Sequence, residues 1–295
     1  MDVYAPQKFN TAELVGVFTN GSPEWHQARL EGIGGSEVGT ILGLNPWESA
    51  YTLWHKRAGL IPTEPLTSMA VKIGTKLETP VLELFAETHP ELKVVTTGTY
   101  RDGALPFLHA NPDALAQTET GEWIVVEVKT SRNYWDEVPP AYIAQVQHYI
   151  SVMGLKRAVI VALLGMDYKE FWIERDDFQI ETQRLMASEF WSGLQTGEVP
   201  SWDGSQSTYE TVRKLHPTID DTEVEIDGGH LLVLAQQKFD DAERELLEAK
   251  SRVMKLMGHA RHAYVEHEGQ RYRIASRQAR GISAPYLVVN KKGIK

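Results

Sequence analysis

Residues 123–130 form an apolar run, W-I-V-V-E-V-K-T, that contains one carboxylate and one ammonium group. β-Branched and aromatic residues in a run of this length predict a buried strand. Glu127 and Lys129 are two positions apart, so both side chains point to the same face of that strand. Opposite charges on a buried strand are costly unless they pair, bind a metal or line a cleft. The fold must therefore contain a sheet that carries a polar site.

An aspartate that follows a proline precedes this strand. The triplet Asn111-Pro112-Asp113 ends the preceding predicted strand, and Glu127 comes fourteen positions after Asp113. Two carboxylates and a nearby lysine suit Mg²⁺, which binds one or two carboxylates and keeps several waters. The alternative is a buried Glu127–Lys129 ion pair beside a turn aspartate. The spacing by itself supports both interpretations about equally.

The order of the predicted elements indicates the fold class. A long amphipathic helix is predicted over residues 68–89. Three β-rich runs follow over residues 94–100, 107–110 and 123–130, separated by Asp-Gly and Thr-Gly breaks. Then come a helix over 140–153, strands over 158–164 and 170–174, and a helix over 176–196. This order predicts an α/β fold, a mixed β-sheet core flanked by helices.

Two short helices are predicted nearer the N-terminus. Ser22-Pro23-Glu24 has the cap, the proline and the first-turn acid of a helix start, and this helix should run through Arg29. Ser36 is expected to cap a second helix that ends near Gly43.

Composition divides the chain near residue 200. Residues 1–200 are predicted to form the α/β domain, residues 201–230 a linker, and residues 231–295 a helical extension with a β-hairpin. The extension contains a heptad seam with apolar or alanine residues in alternating steps of three and four: Leu232, Ala235, Phe239, Ala242, Leu246, Ala249, Val253, Leu256 and Ala260. Packing on its own domain and contact with another chain are both open for this helix.

Charge and cysteine content limit the possible functions. The chain has 30 basic and 40 acidic residues, a net charge of −10, so any contact with nucleic acid must be local. It has no cysteine, which excludes disulfides, zinc–thiolate sites and a thiol nucleophile. Residues 271–295 carry four arginines and three lysines without an acid, a basic segment suited to DNA or to an acidic protein surface. With no apolar run that could span a membrane and no leader pattern, we expect no membrane partner and a cytoplasmic location.

Five ordered segments resemble a known family. The Asp113…Glu127-x-Lys129 pattern with its strands resembles the PD-(D/E)XK nuclease superfamily, and four more segments are similar to phage lambda-type alkaline exonucleases and YqaJ-type viral recombinases. These segments are the R-x₆-S stretch from Arg29 to Ser36, the G-x-x-x-E stretch from Gly74 to Glu78, Asn111-Pro-Asp-Ala114, and the Y-x-x-Q stretch from Tyr142 to Gln145. The resemblance implies a restriction-endonuclease-like fold. It weakens beyond Gly197.

Two positions depart from the family pattern S-P-D-G. Asn111 replaces the serine, so a hydroxyl contact to phosphate becomes an amide contact. Ala114 replaces the glycine, which indicates a backbone position that does not need a positive φ. Neither change removes a carboxylate, so an inactive protein is not implied.

The resemblance also implies roles for residues of the core. Asp113, Glu127 and the carbonyl of Val128 would bind divalent metal, Mg²⁺ with Mn²⁺ expected to substitute, and Lys129 would act on the attacking water. Glu78 would hold a metal-bound water or a second ion, although by itself it reads as an exposed helix acid. Gln145 would orient the water or the lysine, and Tyr142 lies one turn earlier. For Gln147 we expect a solvent-facing position.

A pocket for the 5′-phosphate of a DNA end is implied as well. Arg29 and Ser36 would form it, with Asn111 and Tyr142 also expected to contact DNA and Arg132 as a weaker candidate.

The function expected from these features is a Mg²⁺-dependent 5′→3′ exonuclease. It would degrade one strand of linear duplex DNA and leave a 3′ overhang for a single-strand annealing protein. The resemblance also implies a homo-oligomer, in the form of a ring trimer. The alternatives are a structure-specific endonuclease of the same superfamily and a non-catalytic scaffold that binds DNA ends.

Overall fold

In the computed structural model, residues 1–19, 21–64 and 68–290 are described. The chain divides into two compact units, Met1–Ile219 and Asp220–Lys295, and each is considered by itself. The helices of the first unit are α1 (Pro23–Leu30), α2 (Gly35–Ile41), α3 (Ala50–Arg57), α4 (Met69–Thr88), α5 (Pro140–Met153), α6 (Asp177–Thr196) and α7 (Gln206–Leu215).

The strands of the first unit form two sheets. They are β1 (Lys8–Phe9), β2 (Ala12–Gly16), β3 (Ile33–Gly34), β4 (Lys93–Val95), β5 (Thr99–Asp102), β6 (Leu108–Ala110), β7 (Ala114–Gln117), β8 (Trp123–Ser131), β9 (Arg157–Leu164) and β10 (Asp167–Glu174). One sheet has the order β10-β9-β8-β7-β4, and only its β8–β9 pair is parallel among the described pairs. The other has the order β1-β2-β5-β6-β3. The predicted mixed sheet flanked by helices is confirmed.

The central strand β8 is covered on both faces. On one face, Val125 packs with α5 residues such as Ile150 in the larger core cluster. On the other, Val126 and Val128 pack with Phe85 of α4. A strand buried on both faces needs a nearly continuous apolar sequence, which is why its pattern is recognisable in the sequence. Glu127 and Lys129 share the parity of Val125 and therefore face α5.

The chain passes from one sheet to the other immediately before Asp113. Strand β6 belongs to the sheet that begins with β1, whereas β7 pairs with β8. Three residues, Asn111, Pro112 and Asp113, make this connection. The aspartate is thus fixed at the edge of the central strand by the crossing of the chain between sheets.

The predicted helices match the structure closely, with one difference at α2. Ser22 caps α1 by accepting from the N–H of Trp25 at 3.1 Å, as expected. The cap residue of α2 is Gly34, not Ser36, and the Glu37 side chain accepts from the Gly34 N–H at 2.9 Å. The prediction that Ser36 caps this helix is therefore wrong, because the helix begins at Gly35 and Ser36 already lies inside its first turn.

Helix α7 lies within residues 201–230, the segment expected to be a linker. Buried hydroxyl groups join it to the region of α3: Thr208 Oγ1 donates to Ser49 Oγ at 2.7 Å, and Thr52 Oγ1 lies 2.9 Å from Thr211 Oγ1. Because these bonds are between short polar side chains, hydrophobic periodicity does not reveal the contact. The first unit consequently extends to Ile219.

The second unit contains one long helix and a small sheet. Helix α8 (His230–Met257) is followed by β11 (His262–His267), β12 (Gln270–Gln278) and β13 (Tyr286–Val289), all antiparallel. The predicted hairpin is present, and β13 adds a strand that was not predicted. Along α8, all of whose residues are described, only Met257 is buried. Both alternatives for the heptad seam, packing on its own domain and contact with another chain, therefore stay predictions.

None of the described helices combines the length and the apolar character needed to cross a bilayer.

Candidate active site

The buried Glu127 and the half-buried Lys129 form an ion pair on β8. The Lys129 Nζ donates to Glu127 Oε1 at 2.7 Å, and Glu127 is only 3% exposed. The two side chains share one face, as the spacing predicts. This contact is compatible with both alternatives considered from the sequence, a structural ion pair and a metal-binding site.

The two oxygens of Glu127 are in different environments. Oε1 accepts from Lys129 and also from the Gln145 Nε2, at 2.6 Å. Oε2 is buried and has no hydrogen-bond partner among the described residues. An unsatisfied buried polar atom costs about 1–3 kcal/mol, and more when it carries charge. A plain structural ion pair does not explain this orphaned oxygen, whereas a cation or a bound water would satisfy it.

Asp113 is held against the same strand. Its Oδ2 accepts from the backbone N–H of Val128 at 2.7 Å, so the carboxylate lies beside the residue between Glu127 and Lys129. Burial, together with the negative charges of Glu127 and Glu78, raises the pKa of the Asp113 carboxyl well above its usual range. The carboxylates therefore repel one another in the absence of a cation.

Glu78 comes to this site from α4. A Cβ built at Gly74 would lie 3.1 Å from Thr130 Oγ1, so the glycine lets the helix approach β8 one turn before Glu78. Glu78 is half-buried, and burial followed by the charge of Glu127 raises the pKa of its carboxyl. The interpretation of Glu78 as an exposed helix acid is wrong, because α4 packs directly on the central strand.

These carboxylates provide a donor set suited to a hard divalent cation. Carboxylate oxygens are ligands of Mg²⁺, and the buried Glu127 Oε2 has no hydrogen-bond partner among the described residues. In the described part of the chain, no three His, Asp or Glu side chains are grouped closely enough to form a metal centre by themselves. Two carboxylates would leave the other coordination positions to water, to a carbonyl or to substrate.

Lys129 remains an ammonium group in this environment. Burial lowers the pKa of Lys129, but the carboxylates of Glu127 and Asp113 raise it by more, so the net shift is upward. Its Nζ also lies 4.9 Å from the ring centroid of Tyr142. The structure thus places Tyr142 against the lysine.

Helix α5 supplies a polar face to the site. Gln145 Nε2 bridges Glu127 Oε1 and Tyr149 Oη, the latter at 3.0 Å. Gln147 is 2% exposed, and its Nε2 donates to the carbonyl of Glu174 at 2.6 Å, so the expected solvent-facing position is wrong. Periodicity failed here because α5 is covered on nearly all sides.

Tyr149 was not identified from the sequence, although it completes this network. A Cβ at Gly35 would lie 2.5 Å from Tyr149 Cε1, so only glycine permits this approach of α2 to α5. The sequence signal is the pair Gly35 and Gly39 one helical turn apart. A Cβ at Gly39 would lie 3.0 Å from Ala141 Cβ.

Arg29 and Ser36 meet next to the carboxylates. The Arg29 Nη2 donates to Ser36 Oγ at 3.2 Å, and its guanidinium lies 4.6 Å from the centroid of the Trp25 ring. Ser36 is exposed and free of any capping role. The two residues therefore present an N–H group and a hydroxyl group side by side.

A second arginine, which the sequence did not single out, shapes this region. Arg57 of α3 donates to the carbonyls of Arg29 at 2.5 Å and Gly32 at 2.8 Å, and lies 3.4 Å from Glu37 Oε1. It therefore fixes the connection between α1 and α2 that positions Arg29 and Ser36. Its place near the end of a helix gives no sign of this role.

A cavity of about 160 Å³ brings together most of the predicted site residues. Its lining includes Arg29, Ser36, Asn111, Asp113, Glu127 and Gln145. His109 also lines it, and the buried Nδ1 of this histidine has no partner in the described part of the chain.

Asn111 lines the cavity, and its Oδ1 accepts from Thr99 Oγ1 at 2.8 Å.

The remaining predicted residues lie outside that lining. Glu78, Lys129 and Tyr142 do not line the cavity. Glu78 belongs to α4, whereas Lys129 pairs with Glu127 on the face of β8 towards α5, which carries Tyr142. Arg132 is exposed and makes no ion pair or hydrogen bond with the described residues.

The raised pKa of Asp113 predicts how stability depends on pH. A carboxyl whose pKa is higher in the folded than in the unfolded protein stabilises the fold below its usual pKa of about 3.9 and loses that contribution as pH rises. Without divalent cations, the free energy of unfolding should therefore contain a component that falls between acidic and neutral pH. Asp113→Asn should reduce this component, as measured by denaturant unfolding in EDTA across a pH series.

The matched control is Asp136→Asn, which changes an exposed aspartate in the same way. It should leave the pH dependence unchanged. Equal pH dependence in Asp113→Asn and the unmodified chain would contradict the electrostatic description of the site.

Comparison with known proteins identifies relatives of this chain. Residues 24–156 match the YqaJ-like viral recombinase domain. The YqaJ protein of Bacillus subtilis (strain 168) is 34% identical over 204 residues, which cover 65% of this chain and 63% of that protein. Protein D345L of African swine fever virus (isolate Tick/South Africa/Pretoriuskop Pr4/1996) is 28% identical over 239 residues, 67% of each chain. The chain thus spans about two thirds of the length of these relatives.

Solved structures with a similar fold include an alkaline exonuclease from Laribacter hongkongensis. It has a TM-score of 0.52 and 22% identity, and the match covers 66% of this chain and 99% of that one. The same exonuclease in complex with dAMP gives a TM-score of 0.51 and 20% identity. This chain therefore shares its fold with an alkaline exonuclease.

Proposed function

Since residues 24–156 match the YqaJ-like viral recombinase domain, and every proposed site residue lies within them, we propose that the chain is a metal-dependent deoxyribonuclease. Its substrate would be linear duplex DNA, degraded from the 5′ end. The observation that carries the proposal is Glu127: one oxygen is held by Lys129 and Gln145, and the other is buried without a hydrogen-bond partner among the described residues.

Asp113 and Glu127 would hold a divalent cation, with the Val128 carbonyl as a further oxygen donor. When bound, Mg²⁺, or Mn²⁺ in its place, lowers the pKa of water and stabilises negative charge on phosphate oxygens. Glu78 would accept a hydrogen bond from a water at this cation. The mutual repulsion of the carboxylates favours such an ion, because positive charge between them lowers the energy of the ionised forms.

Lys129 and Gln145 would orient the attacking water. Each donates to Glu127 Oε1, so the carboxylate and these two donors form one rigid group. As an ammonium, Lys129 would donate a hydrogen bond to the water oxygen and stabilise the negative charge that develops during attack. The Tyr142 ring and Tyr149 would keep these donors in place.

Arg29 and Ser36 would bind the terminal 5′-phosphate. A guanidinium and a hydroxyl are suited to phosphate oxygens, and both lie in the cavity that Asp113 and Glu127 also line. Asn111 would add an amide contact. Only a 5′ end places its phosphate in this pocket with the next phosphodiester towards the carboxylates, so cleavage would proceed in the 5′→3′ direction.

The product of such a reaction is a 3′ single-stranded overhang. We propose that a single-strand annealing protein receives it during phage-type recombination in the host cytoplasm. A homo-oligomer, with a ring trimer as the form suggested by resemblance, would keep the enzyme on one strand.

A cleavage assay on three DNAs tests the function. Linear duplex with 5′-phosphate ends should be degraded with Mg²⁺ and not in EDTA, linear duplex with 5′-hydroxyl ends more slowly, and closed circular duplex not at all. Cleavage of the circle would support a structure-specific endonuclease instead. Binding of ends without cleavage under any divalent cation would support a recombination scaffold.

Arg29→Ala should reduce the preference for 5′-phosphate ends. Loss of a charge-assisted contact to phosphate costs about 1.5–3 kcal/mol, so cleavage of 5′-phosphorylated ends should fall about 10- to 100-fold, towards the rate on 5′-hydroxyl ends. Initial rates on the two substrates measure this.

Arg213→Ala is the matched comparison, because Arg213 is an exposed arginine of α7 and lies outside the cavity lining. It should retain the preference for phosphate. Equal losses on both substrates in Arg29→Ala would show that Arg29 has no specific contact with the terminal phosphate.

A further inference from the structure

Positive charge is concentrated in one part of the second unit. From Lys250 to Arg280, eight of the ten charged side chains are basic, and the two acids, Glu266 and Glu268, lie at or next to the turn that joins β11 to β12. The segment from Asp220 to Glu248 has the opposite character, with Lys238 and Arg244 as its basic residues. For a chain with net charge −10, this is a local reversal of sign.

Two arginines on β12 form the centre of the basic region. Arg271 and Arg273 are two positions apart, on one face of the strand, and both are exposed. Neither forms an ion pair with any acid among the described residues; Glu266 is opposite Arg271 in the register but makes no such contact. Their charges are thus available to a ligand. Arg261 and Arg280 are exposed nearby in the sequence and also lack acidic partners in the described part of the chain.

Arg277 has a different role. It is half-buried, and its Nη1 donates to the Gly258 carbonyl at the end of α8, so it holds the helix end on the sheet. Lys291, Lys292 and Lys295, which belong to the basic segment recognised in the sequence, lie outside the described residues. We therefore define the basic face as Arg271 and Arg273.

We propose that the basic face binds the phosphate backbone of duplex DNA outside the cleavage site. Residues two apart on a strand are separated by about 6.6 Å. This places Arg271 and Arg273 where adjacent phosphates of one DNA strand can be contacted together. The proposal rests on the proposed function in one respect, that duplex DNA is the substrate.

Two tyrosines of this region, Tyr264 and Tyr286, favour backbone contact over stacking with single-stranded bases. The Arg271 guanidinium lies 4.1 Å from the centroid of the Tyr264 ring, and that of Arg280 lies 5.9 Å from the Tyr286 ring. Proteins that bind single strands without sequence preference need free ring faces for the bases. Here the Arg271 guanidinium covers one face of the Tyr264 ring, and its N–H groups stay at the exposed surface.

The test compares two double variants of the full chain by DNA binding in EDTA, where the metal-dependent cleavage proposed above cannot occur. Arg271→Ser with Arg273→Ser removes two charges from the basic face. Arg244→Ser with Arg252→Ser removes two charges from exposed positions of α8 that already pair with Asp241 and Glu248. Affinity for a fluorescent duplex is measured across a salt series, and circular dichroism checks that each variant is folded.

The basic-face variant should bind about tenfold more weakly at low salt, and the slope of log K against log salt concentration should become shallower by about 1.8, since each phosphate contact contributes about 0.9. The α8 control should match the unmodified chain. Parallel salt plots with unchanged affinity would overturn the proposal.

Two further measurements separate this proposal from its rivals. Unchanged DNA binding with a change in mass by light scattering would show that the basic face contacts another copy of the chain, which overturns it. Cleavage of short duplexes is measured independently. If the basic face binds DNA in a salt-dependent way but no duplex is cleaved, the proposed nuclease function is refuted and the proposed DNA-binding surface is supported.

Discussion

Glu127→Gln and Asp113→Asn should each reduce cleavage of linear duplex DNA by at least about a thousandfold, a loss of about 4 kcal/mol of transition-state stabilisation. Each change keeps the size of the side chain and removes the negative charge that would hold the cation. Release of nucleotides from 5′-phosphorylated duplex with Mg²⁺ measures the effect. DNA binding should persist, because Arg29 and Ser36 are unchanged.

Glu83→Gln is the matched control, since Glu83 is an exposed acid on α4, the helix that also carries Glu78. It should retain full activity. Retention of more than a tenth of the normal rate by either carboxylate variant would refute the assignment of these residues as metal ligands.

Lys129→Met should be almost as severe for turnover, about 10²- to 10³-fold, but should leave metal binding largely intact. The methionine keeps most of the apolar length of the side chain and loses the group that would act on the attacking water. Metal binding is measured separately as the rise in melting temperature with increasing Mg²⁺ or Mn²⁺. Glu127→Gln should lose most of that rise and Lys129→Met should keep it.

Lys72→Met, an exposed lysine on α4, controls for loss of one positive charge. Removal of Lys129 also leaves Glu127 buried without its cationic partner, which should destabilise the metal-free protein. If Lys129→Met abolished the stabilisation by metal as completely as Glu127→Gln, the lysine would be needed for metal binding, and its assigned role on the attacking water would be contradicted.

The central strand and its charged pair were predictable because burial on both faces demands an apolar sequence. In such a run, any ionisable residue needs a specific explanation, and Glu127 and Lys129 stand out for that reason. Helices α4 and α5 were predicted nearly to their ends, since the amphipathic pattern of α4 and the Pro and Gly flanking α5 are local signals.

Other features depend on contacts between distant residues. The connection from β6 to β7 places Asp113 at β8 only because it crosses between two sheets. Strand β3, with two residues, is too short for a periodic pattern. Gln147 was misjudged because a helix covered on most sides has no solvent face to identify.

The sequence by itself determined the kind of fold and the identity of the charged residues at its centre. Hydrophobic periodicity, helix caps and the charges on β8 are read along the chain, because each depends on neighbours within a few residues. The tertiary structure alone decided which oxygen of Glu127 has no hydrogen-bond partner among the described residues. It also decided that Arg57 fixes the connection carrying Arg29 and that Tyr149 packs against Gly35. These depend on the meeting of α2, α3, α5 and β8, and no local pattern records the distance between side chains on separate elements.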